Sequence, residues 1–208
     1  CCRFSLHDAL PLQNSLMDLS TTNEAGAVYN SYLNSFMNED GSVNWLPVCA
    51  DAHGFVVNKA LFEKYNIPLP TDYKSFVSAC QAFEKVGIRG FAADYFYDYT
   101  CMGTLQGLSA SELSSTDGRK WRTTYSDPAS TEKVGLDNVV WPAAFDRMEQ
   151  FIKDTKLEPD DINLDYDMVD NLYQNGELAM YFGSSFGVKK YKDQGIDTVF
   201  LPFFEQNG

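Results

Sequence analysis

The amino-acid sequence predicts a layered α/β domain in which helices flank a partly parallel sheet. Short apolar runs such as Phe55–Val57 and Leu178–Phe182 have the length of buried strands, and segments with helical spacing lie between them. Strand and helix patterns that alternate along a chain are typical of this class. With 208 residues, of which 44% are hydrophobic, the chain is long enough to bury a sizeable core.

The first part of the chain has weaker patterns than the rest. Residues Leu10–Trp45 are polar and rich in Asn and Ser, which predicts short helices and a turn at Asn38–Gly41. The α/β pattern begins at Leu46, with a strand at Phe55–Val57. A short helix is predicted to follow at Lys59–Tyr65.

The next helix is predicted from an N-cap and a long periodic run. Thr71 follows the Pro68/Pro70 break and is the predicted N-cap, and Gly87 is the predicted stop. Gly90–Ala93 is then predicted as a strand. The apolar residues of the helix recur at helical spacing: Tyr73, Phe76, Val77, Cys80, Phe83 and Val86.

A Ser/Thr/Gly-rich segment, Ser109–Thr124, contains the turn signal Thr116-Asp-Gly118. Asp-Gly is a frequent two-residue hairpin turn. The sequence therefore predicts a small surface ribbon that includes Lys120–Tyr125.

The last third of the chain repeats the helix and strand alternation. A helix with one wide apolar face is predicted at Asp137–Lys153, and such a face must pack on a sheet. The further elements are a helix at Tyr166–Gln174, a strand at Leu178–Phe182, a helix near Val188–Gln194 and a strand at Thr198–Leu201.

Charge and composition exclude several classes of function. A net charge of −13 and a pI near 4.4 disfavour nucleic acids and anionic membrane surfaces, which would repel the chain. No apolar run approaches the roughly 20 residues that span a bilayer. The five cysteines have no CxxC spacing, so neither a zinc site nor a disulfide framework is predicted.

Two segments far apart in the chain carry a family resemblance. In Pro47–Lys64, a Pro-apolar-small triplet and four spacers precede Gly54, two apolar residues and Asn58, with Phe62 and Lys64 further on. Together with Asn171–Phe186, this segment resembles the sugar-binding, maltose-binding-protein-like branch of the extracellular solute-binding proteins that serve ABC importers. Val57 stands where the family usually has Tyr, and Cys49 where it has a small polar residue or Ala.

The resemblance implies a fold and a division of the chain. The fold would be a periplasmic-binding-protein-like lobe of type II in an incomplete two-lobe architecture, because family members are about twice this length. Residues 1–47 would be the end of lobe one, 48–58 the crossing strand and hinge, 59–201 lobe two, and 202–208 the start of the return crossing.

The resemblance also implies a function. The protein would capture a sugar or oligosaccharide between its lobes by hinge closure, without catalysis, and deliver it to an ABC permease. It would be a monomer without cofactors, located outside the cell as a surface lipoprotein or in the periplasm. No export signal is visible at the start of this chain, and no apolar stretch precedes Cys1 as in a lipidated N-terminus.

A hydrolase is the alternative from another class. Gly183-Ser-Ser-Phe-Gly187 matches the GxSxG nucleophile elbow and follows a strand. Hydrolases of that type have their acid and histidine after the serine, whereas His7 and His53 both precede Ser185. A glycosidase with paired carboxylates is the other version, with candidates Asp51, Asp94 and Asp98.

A metal site is not expected. The acidic run Asp160–Asp167 alternates like a calcium loop, but Tyr166 occupies the position of the loop's Gly and Leu172 that of its bidentate Glu. The run is interpreted as a loop that leads into a helix N-terminus, where negative charge is favourable. His53 is interpreted as a loop residue at the lobe crossing.

The strongest binding feature is the aromatic run Asp94–Tyr99. Sugars present apolar C–H faces to aromatic rings and hydroxyls to carboxylates, so this mixture suits a sugar pocket, although core packing also explains such aromatics. By the resemblance, the sugar contacts would be Asp51, Asp94, Tyr95, Tyr97 and Phe186. Two further hypotheses stay open: a solute-binding protein for a peptide, polyamine or metal, and a structural interaction module.

Overall fold

The structure is a computed structural model that describes residues 16–38, 40–127, 130–132, 134–137 and 140–204. Residue contacts divide the chain into two compact units, residues 1–50 and residues 51–208. The predicted boundaries of lobes and crossings at 47, 58 and 201 stay predictions.

The first unit contains short elements. They are α1 (Asn23–Gly26), α2 (Asn30–Leu33) and a 3-10 turn (Asn34–Phe36). Thr22 caps α1, since its Oγ1 accepts from the Ala25 N–H at 3.2 Å. Gly41 adopts a φ of +83° between the bridged residues Met37 and Val43. The prediction of short helices and a turn is confirmed for the described residues of this unit.

The second unit is built on a mixed four-stranded sheet. Its strands are β1 (His53–Asn58), β2 (Arg89–Ala92), β3 (Leu178–Ser184) and β4 (Thr198–Leu201), in the spatial order β2-β3-β1-β4. β2 pairs parallel to β3, whereas β1 pairs antiparallel to both β3 and β4. The predicted partly parallel sheet is confirmed.

Helices connect the strands. In chain order they are α3 (Lys59–Tyr65), α4 (Tyr73–Lys85), α5 (Asp98–Leu108), α6 (Ala110–Ser114), α7 (Thr116–Ser126), α8 (Trp141–Thr155), α9 (Tyr166–Gln174) and α10 (Ser185–Asp193), with a 3-10 turn at Pro159–Asn163. The bounds of α3, α9 and β4 agree with the predictions. The other predicted strands and the last predicted helix are confirmed with shifted ends.

The sheet buries a core on each face because successive strand residues point to opposite sides. On one face, Phe55 of β1 and Phe182 of β3 pack with Phe76 of α4 and Phe151 of α8. The other face has a smaller core in which α9 and α10 cover the sheet. Its buried members are Val56, Ala92, Val169, Tyr173, Leu178, Tyr181 and Tyr191.

The cap of α4 differs from the prediction. Asp72, not Thr71, is the N-cap, and it forms a capping box with Ser75. The Asp72 carboxylate accepts from the Ser75 N–H at 2.7 Å, while the Ser75 hydroxyl accepts from the Thr71 and Asp72 N–H groups. A carboxylate is the stronger acceptor at the helix start, which explains the one-residue shift.

The predicted ribbon at Lys120–Tyr125 is wrong. The segment is helical, because Ser115 caps α7 by accepting from the Gly118 N–H at 3.0 Å. Ser and Asp serve turns and helix caps equally well, so the local Thr-Asp-Gly signal did not separate the two.

The wide apolar face predicted for α8 is only partly buried. The helix begins at Trp141, four residues later than predicted, with Pro142 in its first turn, and it continues to Thr155. Phe151 lies in the main core, whereas Phe145 remains 47% exposed. No helix among the described residues is both long and apolar enough to span a bilayer.

Candidate functional site

Four chain segments meet at one edge of the sheet. β2, β3 and β4 all end at this edge, and β1 begins there, because β1 is antiparallel to its neighbours. The edge therefore receives Asp51 before β1, Asp94–Tyr97 after β2, Ser184–Phe186 at the end of β3, and Pro202–Phe204 after β4. In open α/β sheets, ligands bind outside the carboxyl ends of strands.

Asp51 is held by the turn between β3 and α10. Its Oδ1 accepts from the Ser185 hydroxyl at 2.7 Å and from the Ser184 hydroxyl at 2.9 Å. The backbone reinforces the contact, since the Ser185 N–H donates to the Ala52 carbonyl at 2.9 Å. Residues 133 positions apart in sequence are thus fixed beside each other.

The same contacts set the charge of Asp51. Partial burial opposes ionisation, but the hydrogen bonds from Ser185 and Ser184 and the nearby His53 together lower the pKa of the Asp51 carboxyl. His53 Nε2 lies 3.3 Å from Asp51 Oδ2. His53 was predicted to lie in a loop, but it is the first residue of β1, where strand pairing with Ser184 extends the sheet.

This geometry does not make Ser185 a nucleophile. In a Ser-His-Asp triad the imidazole lies between the serine and the carboxylate and takes the serine proton. Here the Ser185 hydroxyl donates directly to Asp51, and His53 contacts the opposite oxygen of the same carboxylate. A carboxyl with a lowered pKa is also a weak base.

Phe186 presents its ring at the start of α10. Ser184 is the N-cap of this helix, and its hydroxyl accepts from the Phe186 N–H at 3.1 Å. The backbone of the turn is therefore fixed, while 62% of Phe186 is exposed. An exposed aromatic ring on a fixed backbone is suited to stacking on a ligand.

Asp94 is buried just beyond the end of β2. It is only 8% exposed, and burial raises the pKa of its carboxyl. The Tyr99 hydroxyl donates to Asp94 Oδ2 at 3.4 Å, and the Asp94 carbonyl accepts from the Tyr97 N–H. Perturbed carboxyls of this kind are common at functional sites.

The predicted tyrosines occupy two different environments. Tyr97 stacks on the exposed Tyr99 at 5.5 Å between ring centroids, with Phe96 edge-on at 5.2 Å. Tyr95 instead packs against the main core, and its hydroxyl donates to Thr104 at 3.4 Å. Burial raises the pKa of Tyr95. Its contribution to a ligand site stays a prediction.

The predicted site residues thus form two clusters that follow adjacent strands. Asp51 contacts the turn after β3 that carries Phe186, and Asp94 and Tyr97 lie between the end of β2 and the start of α5. Asp98, a candidate for a carboxylate pair, lies in the first turn of α5. Because β2 and β3 are neighbours in the sheet, both clusters lie at the same edge.

Sequence reasoning missed a third group of residues on α5. Gln106 of this helix lines a cleft of about 600 Å³ with Asp51, His53 and Phe203. α5 itself was not predicted, since its buried positions include Thr100 and Thr104 and it carries two glycines. The four-residue spacing of Gly103 and Gly107 was the available signal, because small residues at helical spacing permit close packing.

The acidic run at Asp160–Asp167 has structural partners. Asp161 pairs with Arg89, and Asp165 caps α9 by accepting from the Met168 N–H at 2.8 Å. The interpretation of this run as a loop leading into a helix N-terminus is confirmed for Asp165. Within the described ranges, no group of three His, Cys, Asp or Glu side chains has the arrangement of a metal site.

Solved structures share this fold. The solute-binding protein RafE in complex with raffinose matches 94% of this chain and 52% of its own, with a TM-score of 0.68 and 19% identity. The apo form of RafE from Streptococcus pneumoniae matches with a TM-score of 0.70, 18% identity, and coverage of 94% of this chain and 50% of its own. The maltotriose-binding protein of Thermus thermophilus, bound to maltotriose, gives a TM-score of 0.61 at 21% identity, with 93% and 48% of the two chains covered.

The chain spans about half the length of these proteins. A search of curated proteins found no match. The family model for bacterial extracellular solute-binding proteins matches residues 7–207, nearly the whole sequence. Solute-binding proteins are a non-catalytic family, and the GxSxG turn of this chain holds Asp51 and begins α10. The chain belongs to the family of bacterial extracellular solute-binding proteins.

Proposed function

We propose that this chain is part of the carbohydrate-binding subunit of an ABC importer and captures an oligosaccharide without chemical change. The observation that carries the proposal is the shared sheet edge, where two carboxylates and exposed aromatic rings lie on adjacent strand ends. Aromatic faces pack on the C–H faces of sugars, and carboxylates accept from sugar hydroxyls.

The proposed ligand contacts are Asp51, Asp94, Tyr97 and Phe186, with Tyr95 as a supporting residue. Asp51 is ionised at neutral pH and accepts only, so it suits a hydroxyl donor. Phe186 offers a stacking surface without a hydrogen-bond donor. Three solved relatives whose names include raffinose, maltotriose or stachyose support a sugar ligand.

The proposed mechanism is capture by closure of two lobes. Residues 59–201 would form lobe two, residues 1–47 the end of lobe one, and residues 48–58 and 202–208 the crossings. A ligand that contacts both lobes favours the closed state by its differential affinity, and the permease would recognise that state. The protein would work as a monomer outside the cell, as a surface lipoprotein or in the periplasm.

Calorimetric titration of the complete polypeptide tests this proposal. Raffinose, maltotriose and stachyose would be compared with a tripeptide and a polyamine, and we expect binding of at least one sugar and of neither other ligand. Phe186→Ala should weaken sugar binding about 2- to 10-fold, the worth of one aromatic contact. Tyr125→Ala, which alters a comparably exposed ring on α7, is the control.

If the protein bound the tripeptide or the polyamine and no sugar, the proposal of a sugar ligand would be wrong, and the protein would bind another class of solute. Equal effects of Phe186→Ala and Tyr125→Ala would remove Phe186 from the ligand site. Release of a product from any sugar would contradict capture without catalysis.

A further inference from the structure

The cleft beside α5 lies within the second unit and was not anticipated from the sequence. Its volume is about 600 Å³, within the range of roughly 300–1,000 Å³ that is typical of small-molecule sites. Its lining includes Gln106 and Gly107 of α5, Ser111 of α6, Asp51 before β1 and Phe203 after β4.

Glycines on α5 shape the apolar side of this cleft. A Cβ at Gly107 would lie 2.1 Å from Cε2 of Phe203, and one at Gly103 would lie 2.9 Å from Cζ of Phe182. Both rings therefore approach the helix backbone more closely than any other residue type permits. The His53 ring lies edge-on to Phe182 at 5.7 Å between centroids, which adds an aromatic neighbour on the β1 side.

The polar groups of the cleft complement each other chemically. Asp51 is ionised and accepts, whereas the Gln106 amide both donates and accepts. Ser111 currently donates to Glu112 at 3.0 Å, and its exposed hydroxyl can rotate toward a ligand. Sugar hydroxyls are donors and acceptors at once, so a carboxylate, an amide and a hydroxyl around an aromatic surface fit a sugar ring.

We propose that this cleft is a subsite that takes one ring of the oligosaccharide, with Gln106 as a ligand-contacting residue that sets specificity. The inference rests on the proposed function and deepens it. Asp51 lines the cleft and also contacts the turn that carries Phe186, so the subsite is continuous with the sheet-edge residues. An oligosaccharide could place one ring near Phe186 and the next against Gln106.

Two substitutions on the complete polypeptide test the subsite. Gln106→Ala removes the amide, and Ala110→Trp fills the cleft from an exposed position at the start of α6. Gln81→Ala, also an exposed glutamine within a helix, is the matched control. Raffinose, maltotriose and stachyose are titrated by calorimetry, and thermal unfolding of each variant checks that it is folded.

We expect Gln106→Ala to weaken the tightest of these sugars about 2- to 10-fold, the worth of one hydrogen bond, and Ala110→Trp to weaken it at least about tenfold. Gln81→Ala should bind as the unmodified protein does. If Ala110→Trp does not fold, Gln106→Ala decides alone.

Each other outcome has a distinct meaning. If Gln106→Ala binds the sugar as tightly as Gln81→Ala does, the subsite is overturned and the proposed function is kept. The absence of binding to every sugar by the unmodified protein overturns both.

Discussion

Ser185→Ala tests whether the GxSxG turn anchors the segment before β1. The serine hydroxyl donates to Asp51 at 2.7 Å and accepts from the Ala52 N–H at 3.3 Å. A hydrogen bond contributes roughly 0.5–1.5 kcal/mol net, and solvent screens this exposed pair. Ser184 still donates to the same oxygen of Asp51 after the substitution. We therefore expect a loss of about 1 kcal/mol in the free energy of unfolding.

The loss should depend on pH in one direction. The contacts lower the pKa of Asp51 in the folded state, so their contribution is present above the unfolded pKa of about 4. It disappears as the pH falls through the folded pKa, where the carboxylate is protonated. The difference between Ser185→Ala and the unmodified chain should therefore shrink below about pH 4.

Thermal unfolding between pH 7 and pH 3 measures this difference. A loss of about 1 kcal/mol corresponds to roughly 2–4 °C for a domain of this size. Ser78→Ala is the control, because the exposed Ser78 hydroxyl donates to the neutral Lys74 carbonyl at 2.8 Å and its effect should not follow pH. A midpoint of Ser185→Ala equal to that of the unmodified chain at pH 7, or a loss that changes with pH no more than that of Ser78→Ala, would refute the anchoring role of Asp51.

Three further predictions concern the interior of the second unit. Gly90→Ala should destabilise the chain by at least about 2 kcal/mol in urea unfolding, because its Cβ would lie 2.5 Å from the Cys80 Cα. Gly26→Ala is the control, since a Cβ at Gly26 would have no atom within 4 Å. A loss for Gly90→Ala no larger than that for Gly26→Ala would contradict this packing. Asp94→Asn should raise the thermal midpoint at pH 7, since burial raises the folded pKa of Asp94 and its ionisation then costs stability as the pH rises above about 4. An unchanged or lower midpoint of Asp94→Asn at pH 7 would show that burial does not disfavour the ionised carboxylate of Asp94. Iodoacetamide should label the exposed Cys49 and Cys101 in the folded chain, and the buried Cys80 only after unfolding, because burial raises the pKa of the Cys80 thiol. Peptide mass mapping measures the labelling, and equal labelling of all three cysteines in the folded chain would contradict this.

Much of the fold was predictable because its periodic segments agree with their tertiary environment. α9 has Val169 and Tyr173 four residues apart on its buried face, and Asp165 and Gly176 stand at its two ends, so local and global signals coincide. β1 is bounded by Asn58, whose side chain caps α3 by accepting from the Leu61 N–H at 3.3 Å. Such a cap fixes both the end of the strand and the start of the helix.

α5 escaped prediction because tertiary packing overrides its local propensity. Each glycine in a helix interior costs about 1 kcal/mol relative to alanine, and two of the four buried positions of α5 are threonines. The reason for Gly103 and Gly107 is visible only in the structure, where Phe182 and Phe203 occupy the space that a Cβ would fill. Sequence patterns record local preference and cannot show which distant ring approaches a helix.

The residues of the candidate site could be placed from the sequence where they lie beside clearly patterned strands. Asp51 precedes β1 and Phe186 follows β3, two strands with clear patterns, so their meeting at one edge depends only on the antiparallel pairing of these strands. Gln106 belongs to the helix that had no clear pattern, and the cleft beside it was therefore not predicted.

The direction of β1 gives the edge a second property. Because β1 begins and β4 ends there, the segments that contain Asp51 and Phe204 both lie at this edge, beside the predicted ligand contacts. Under the proposed function, these segments belong to the crossings between two lobes, so a ligand at this edge would contact the hinge. The contact between Asp51 and Ser185 then fixes the crossing segment to the turn that presents Phe186. The Ser185 hydroxyl anchors this segment by donating to Asp51, and His53 contacts the other oxygen of the same carboxylate instead of lying between serine and carboxylate as in a triad.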